Sequence, residues 1–119
     1  LIPYNQAWVK NASVLIYVLS DRFRRAEGRE PSPNPWHSFD TGTAWGYLAL
    51  QAHKLGWAAH GMAGFDKARA FEVLGADPEQ FNVEAAVAVG RGAAEGLTTR
   101  PKPRDWFGGR SRGGGLRGE

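Results

Sequence analysis

The chain reads as an α+β domain, and three features of the sequence carry that reading. The run SVLIYVLSD, Ser13 to Asp21, is β-branched and aromatic, apolar on both faces, and stops at a polar cluster, as a central buried strand does. Ala44, Leu48, Ala52 and Leu55 recur at the spacing of one helical face, with Asp40 offered as N-cap and Gly56 placed to end the helix in a left-handed conformation. In NVEAAVAVG, Val83, Ala85, Val87 and Val89 alternate with Glu84, Ala86 and Ala88, the pattern of a second strand ending at Gly90.

Between these elements the signals are equally local. Arg22 to Trp36 is charged and then carries Pro31, Pro33 and Pro35, which excludes a helix interior or a central strand and predicts an exposed loop. The helix beginning near Asp40 has a second face of small residues, Gly42, Gly46 and Ala49, which lets another backbone approach closely, within the subunit or across a dimer. Asp66 then caps a short helix, Lys67 to Leu74, closed by Gly75, with Arg69 placed to pair with the cap carboxylate and Phe71 and Leu74 facing inward. ADPEQ is a turn. Two strands make no stable sheet by themselves, so a partner or further sequence is expected to complete it.

Composition bounds the function classes. At 119 residues with 42% hydrophobic content, the chain can build one modest core. It has no Cys, hence no disulfide framework and no thiolate metal site, and no apolar run approaches the roughly 20 residues needed to span a bilayer. The net charge of +3 sits in the tail: Gly96 to Glu119 holds six of the 15 basic and two of the 12 acidic residues, leaving nine basic against ten acidic before it. We therefore divide the chain into a folded part, residues 1–95, and a Gly/Arg-rich tail, residues 96–119, expected to be disordered. Arg104, Trp106, Phe107 and Arg110 in that tail keep a non-catalytic binding module, contacting nucleic acid or acidic partners, as the alternative function; nucleic acid is not the expected partner. His37, His53 and His60 form no metal-ligand spacing, and no hydrolytic triad or paired-carboxylate motif is legible.

The stretch HGMAGF, His60 to Phe65, keeps its side chains small just before the Asp66-capped helix. A helix N-terminus attracts phosphate, but a carboxylate at the cap would repel a dianion by about 4 kcal/mol per charge pair at an effective dielectric near 20. A planar, weakly polar ring suits this backbone better, with Met62 and Phe65 at its edge and the amides of Ala63 and Gly64 aimed at a ring heteroatom.

Taken together, NQAWVKNASVLIYVLSD, HSFDTGTAWGYLALQAHKLGWAAHGMAGFDKARAFEVLG and FNVEAAVAVGRG resemble the C-terminal half of the FMN-dependent nitroreductase family, over about Pro3 to Gly92. The resemblance implies a partial nitroreductase-like fold, with central β-strands packed against a long dimer helix and a short helix. It implies a homodimer with FMN in clefts at the subunit interface, reduced by NAD(P)H and reoxidised by a small-molecule acceptor such as a nitroaromatic, quinone or enone-like compound. It places Met62, Ala63 and Gly64, with His60, at the turn whose main chain faces the flavin N5 edge. Asp40, Gly42 and Gly46 fall on the dimer helix, and Arg91, Lys102 and Arg104 are candidates for the phosphate. NQAW, Asn5 to Trp8, lacks the Pro of the family's flavin-contacting Asn-x-Gln-Pro-Trp segment and is given no flavin contact. The opening on Leu1 and the missing Arg-rich phosphate segment suggest a fragment, and a cytoplasmic location is the default expectation.

Overall fold

The computed structural model describes residues 1–91, so the 96–119 tail, Lys102 and Arg104 lie outside the described residues. In chain order the elements are α1 (Pro3–Val9), β1 (Val14–Asp21), β2 (Phe23–Arg24), β3 (Ser32–Pro33), α2 (His37–Lys54), β4 (Ala58–Met62), α3 (Lys67–Leu74) and β5 (Phe81–Gly90). A three-stranded antiparallel sheet has the order β1-β5-β4, and β2 and β3 form a separate two-stranded hairpin. The α+β class and the packing of strands against one long and one short helix are as the sequence predicts.

The central strand is β5, and β1 lies at an edge. β5 fills that place because it can bury both faces: Val83, Ala86, Val87 and Ala88 are each 0% exposed. β1 pairs on one side only and leaves Val14 and Leu15 partly open. An apolar run does not distinguish a covered edge from a centre, which is why the sequence placed β1 in the middle. The third strand is β4, at a place read as a turn. Ala58 pairs with Gly90 and Met62 with Ala86, so the turn proper contracts to Ala63 and Gly64.

The alternation expected along β5 breaks once. Val18 pairs with Ala85 but Leu19 pairs with Val83, so Glu84 is the extra residue of a β-bulge. The bulge reverses the parity, and Val83 joins Ala86 and Ala88 on one face rather than Ala85, Val87 and Val89 on the other. On the Val83 face they pack with Val9 of α1, Met62, Phe65 and Ala70 of α3, sealed by Tyr17, whose ring meets Phe65 edge-on at 5.5 Å. The other face is covered by α2. Its Trp45 lies over Gly61, where an added Cβ would stand 3.0 Å from the indole.

The helix ends follow from capping chemistry, with four departures. Asp66 Oδ1 accepts from the Arg69 amide at 3.0 Å, and Gly75 closes α3 at φ 64°, as expected. The Arg69 side chain, however, pairs with Glu72 at 2.6 Å rather than with the cap carboxylate, and Leu74 is 41% exposed because the short helix buries only Ala70 fully. Helix α2 begins at His37, not after Asp40, which falls inside its first turn and complements the helix dipole there. The sequence also left α1 unassigned; Pro3 opens it at a position where a missing N–H costs nothing. In the Pro-rich loop, the hairpin of β2 and β3 is tied back by Asp21, which accepts from the Phe23 amide and pairs with Arg25 at 2.8 Å. The Arg25 guanidinium, with that amide, holds the Asp21 carboxyl below its ordinary range.

Candidate functional site

Three features of the molecule offer chemistry. The first is the Ala63–Gly64 turn. Met62 is buried in the core, Ala63 is exposed, and the Gly64 carbonyl accepts two hydrogen bonds from the start of the chain, from the Ile2 amide at 3.0 Å and from Asn5 Nδ2 at 3.1 Å. An added Cβ at Gly64 would lie 2.6 Å from Asn5 Nδ2 and 2.8 Å from Ile2 Cδ1, so α1 presses directly on the main chain. Glycine is required here by close approach, not by φ. The turn is thus pinned from the α1 side and open at Ala63. His60, on β4 and half-buried, meets Trp8 of α1 edge-on with centroids 5.1 Å apart. Arg91 stands beyond the opposite end of β4, its guanidinium 4.2 Å from the Trp57 ring centroid. The structure therefore gathers His60, Met62, Ala63 and Gly64 in one strand and turn, and sets Arg91 beyond the far end of β4, about 10 Å from His60 and about 17 Å from Met62 along the strand at roughly 3.3 Å per residue.

The second feature is a polar cluster where β1, the β5 bulge and the first turn of α2 meet. Ser20 Oγ donates to Glu84 Oε1 at 2.7 Å, and Ser38 Oγ donates to the same oxygen. His37 Nδ1 lies 2.8 Å from Ser20 Oγ, 3.3 Å from Ser38 Oγ and 3.9 Å from Glu84 Oε1. Ser20 is 1% exposed. Burial acts to raise the Glu84 carboxyl, but hydrogen bonds from Ser38, Ser20 and Asn82 together with the nearby His37 outweigh it and hold the group below its ordinary value. The sequence presents His37 only as a histidine without metal-ligand spacing and Glu84 only as one position of a strand, and it does not join the four, because the bulge that turns Glu84 toward Ser20 depends on strand pairing.

The third is the outer surface of α2. The helix has no fully buried residue, Phe39 and Tyr47 are about 70% exposed, and a Cβ at Gly42 or Gly46 would meet nothing within 4 Å. Of the two partners open to the small face, packing within the chain is thereby excluded for these two glycines among the described residues. Where α2 leaves the sheet, a groove of about 510 Å³ opens between Leu48, Ala52 and Leu55 and the strand residues Val14, Ile16 and Val89. Among the described residues no three His, Asp or Glu side chains gather as a metal site, and no helix is long and apolar enough to cross a membrane.

The sequence model of the nitroreductase family matches residues 3–91. The chain belongs to the nitroreductase family. Among solved structures, this nitroreductase-family chain is similar to an oxidoreductase containing FMN, at 49% identity and a TM-score of 0.70, over 76% of this chain and 46% of that one. It thus spans a little under half the length of that protein. A protein of Staphylococcus epidermidis provisionally named NAD(P)H:FMN oxidoreductase matches over 48% of this chain and 27% of its own, at 26% identity and a TM-score of 0.45. No curated protein matches the chain. In the nitroreductase fold seen here, α1 is the element whose role the sequence concealed: Ile2 and Asn5 reach Gly64 across 59 or more positions of chain.

Proposed function

We propose that this chain supplies part of an FMN-dependent NAD(P)H oxidoreductase that works as a homodimer on a small-molecule acceptor: a nitroaromatic, a quinone or an enone-like compound. The observation that carries the reading is the Ala63–Gly64 turn, fixed by α1 on one side and open on the other, in a chain of the nitroreductase family that is 49% identical to an FMN-containing oxidoreductase. The residues present fit the group. Gly64 brings bare backbone to the surface of the turn, Ala63 adds only a methyl group, and Arg91 offers a cation at a distance along β4 suited to a phosphate on a ribityl chain. Bound FMN would supply hydride acceptance from NAD(P)H and reduction of the second substrate. The chain's own part is to place the amides of Ala63 and Gly64 at the flavin's redox edge, with His60 and Met62 holding the strand that leads into them. Arg91 is assigned to the phosphate. The uncovered face of α2, with Gly42 and Gly46 open, is assigned to the second subunit.

The test removes one amide. Ala63→Pro deletes the donor at an exposed position, and Ala63→Ser retains it. FMN titration followed by flavin fluorescence should give about tenfold weaker binding for the proline variant, the equivalent of roughly 1.4 kcal/mol, with the serine variant unchanged. Equal affinity of the proline variant and the parent chain would overturn the placement of the flavin edge.

A further inference from the structure

The cluster at Ser20, His37, Ser38 and Glu84 has no part in the flavin reading, and its hydrogen-bond inventory assigns a protonation pattern. Glu84, held as a carboxylate at neutral pH, only accepts. A serine hydroxyl has one proton, and Ser20 and Ser38 each direct theirs to Glu84 Oε1. No hydroxyl proton is left for the ring nitrogen lying 2.8 Å from Ser20 Oγ and 3.3 Å from Ser38 Oγ. The proton on that contact must therefore come from His37 Nδ1, and both serine oxygens accept it. The opposite tautomer would set the Nδ1 lone pair against an oxygen lone pair inside a buried contact, since Ser20 is 1% exposed. His37 Nε2 has no hydrogen-bond partner among the described residues, and among them no buried side-chain nitrogen lacks one, so Nε2 reaches solvent.

We propose that Ser20, Ser38 and Glu84 fix neutral His37 as the Nδ1–H tautomer and turn its Nε2 outward as the proton acceptor of a four-residue relay at the first turn of α2. The relay runs from Nδ1–H through the serine hydroxyls to Glu84, so a proton taken up at Nε2 is balanced by a carboxylate across hydrogen bonds already in place. The other charges near His37 are Asp21 at the end of β1 and Asp40 on α2 itself; Arg25 is engaged by Asp21, and Arg22 donates to the Phe81 carbonyl. The site would take a ligand that presents an N–H or O–H donor and exchange a proton with it. On β5, Glu84 lies two residues beyond Ala86, the last partner of β4 before the chain leaves for the Ala63–Gly64 turn. The inference nevertheless stands without a flavin, and its test needs none.

The test is long-range proton–nitrogen correlation on the full chain with ¹⁵N-labelled histidine, at about pH 8.5 where ordinary imidazoles are neutral. The expected result is the Nδ1–H pattern for His37, the tautomer that free histidine disfavours, and its conversion to the Nε2–H pattern in the Ser20→Ala, Ser38→Ala double variant. An Nε2–H pattern in the parent chain overturns the proposal on its own, whatever the double variant does. So does an Nδ1–H pattern that persists in a folded double variant.

Discussion

Alanine at Gly64 tests whether α1 truly clamps the candidate turn. The added Cβ would stand 2.6 Å from Asn5 Nδ2 and 2.8 Å from Ile2 Cδ1, well inside ordinary van der Waals contact. Both are side-chain ends, but Asn5 is only 7% exposed and cannot swing away without giving up its bond to the Gly64 carbonyl. Losing that bond removes about 1 kcal/mol, and a buried amide left without a partner costs about 1–3 kcal/mol more. Against this, replacing glycine restricts the unfolded chain and returns about 0.4–1 kcal/mol. The net loss is about 1–3 kcal/mol, a fall in melting temperature of roughly 5–15 °C for a domain of this size. Circular dichroism melts of Gly64→Ala, Asn5→Ala and the double variant close a thermodynamic cycle. Because removing the Asn5 side chain empties the space the new methyl needs, the double variant should lose less than the two singles combined, by about 1 kcal/mol. Additivity to within about 0.5 kcal/mol, or a Gly64→Ala variant as stable as the parent, would refute the clamp.

Two further outcomes are expected. The depressed Glu84 carboxyl contributes stability that is present above its ordinary range and lost as pH falls through its lower folded value; the acid limb of a melting-temperature profile should be shallower in Glu84→Gln, and superposable limbs would contradict the cause assigned here. Asp21 shifts the same way in both proteins and cancels from the comparison. Tyr47→Glu with Leu50→Glu, both on the exposed side of α2, should convert the proposed homodimer to monomer with little change in circular dichroism, and a dimer that survives both substitutions would remove α2 from the subunit interface.

What the sequence made legible is what is decided within a few residues. The Asp66 cap, the Gly75 stop and the strand character of β1 and β5 are all set by local period or capping, and each is where the residues put it, whereas the α2 face read as Ala44, Leu48, Ala52 and Leu55 leaves Ala44 and Leu55 exposed and turns Trp45 to the sheet instead. What was concealed depends on partners distant in the chain. Ala58–Met62, AAHGM, has no strand signature of its own: small residues and a glycine are poor strand formers, and they extend only because β5 offers a ladder on its free edge. Helix α2 starts three residues before Asp40 without a side-chain cap, while Ser38 in that first turn bonds to Glu84 on β5. The candidate turn was visible from its glycines. Why Gly64 has to be glycine was not, since Ile2 and Asn5 approach it from the far end of the chain.

The bulge at Glu84 joins these observations into one argument. Were the same residues paired as a regular strand with no bulge, Val83 would face α2 with Val87, and the core beneath Met62 and Phe65 would lose a fully buried side chain. The bulge keeps that valine on the α1 and α3 side and turns a carboxylate toward Ser20, past the last β4 to β5 pair at Met62 and Ala86. Bulges concentrate beside functional sites because they re-aim a side chain without breaking the strand. Here one bulge carries both the packing of Val83 beneath the candidate turn and the polar cluster at the first turn of α2. Deleting Glu84 would straighten β5 with Val83 still paired to Leu19 on its present face, so it would remove the polar cluster and spare that packing, whereas Glu84→Gln keeps the backbone and removes only the charge.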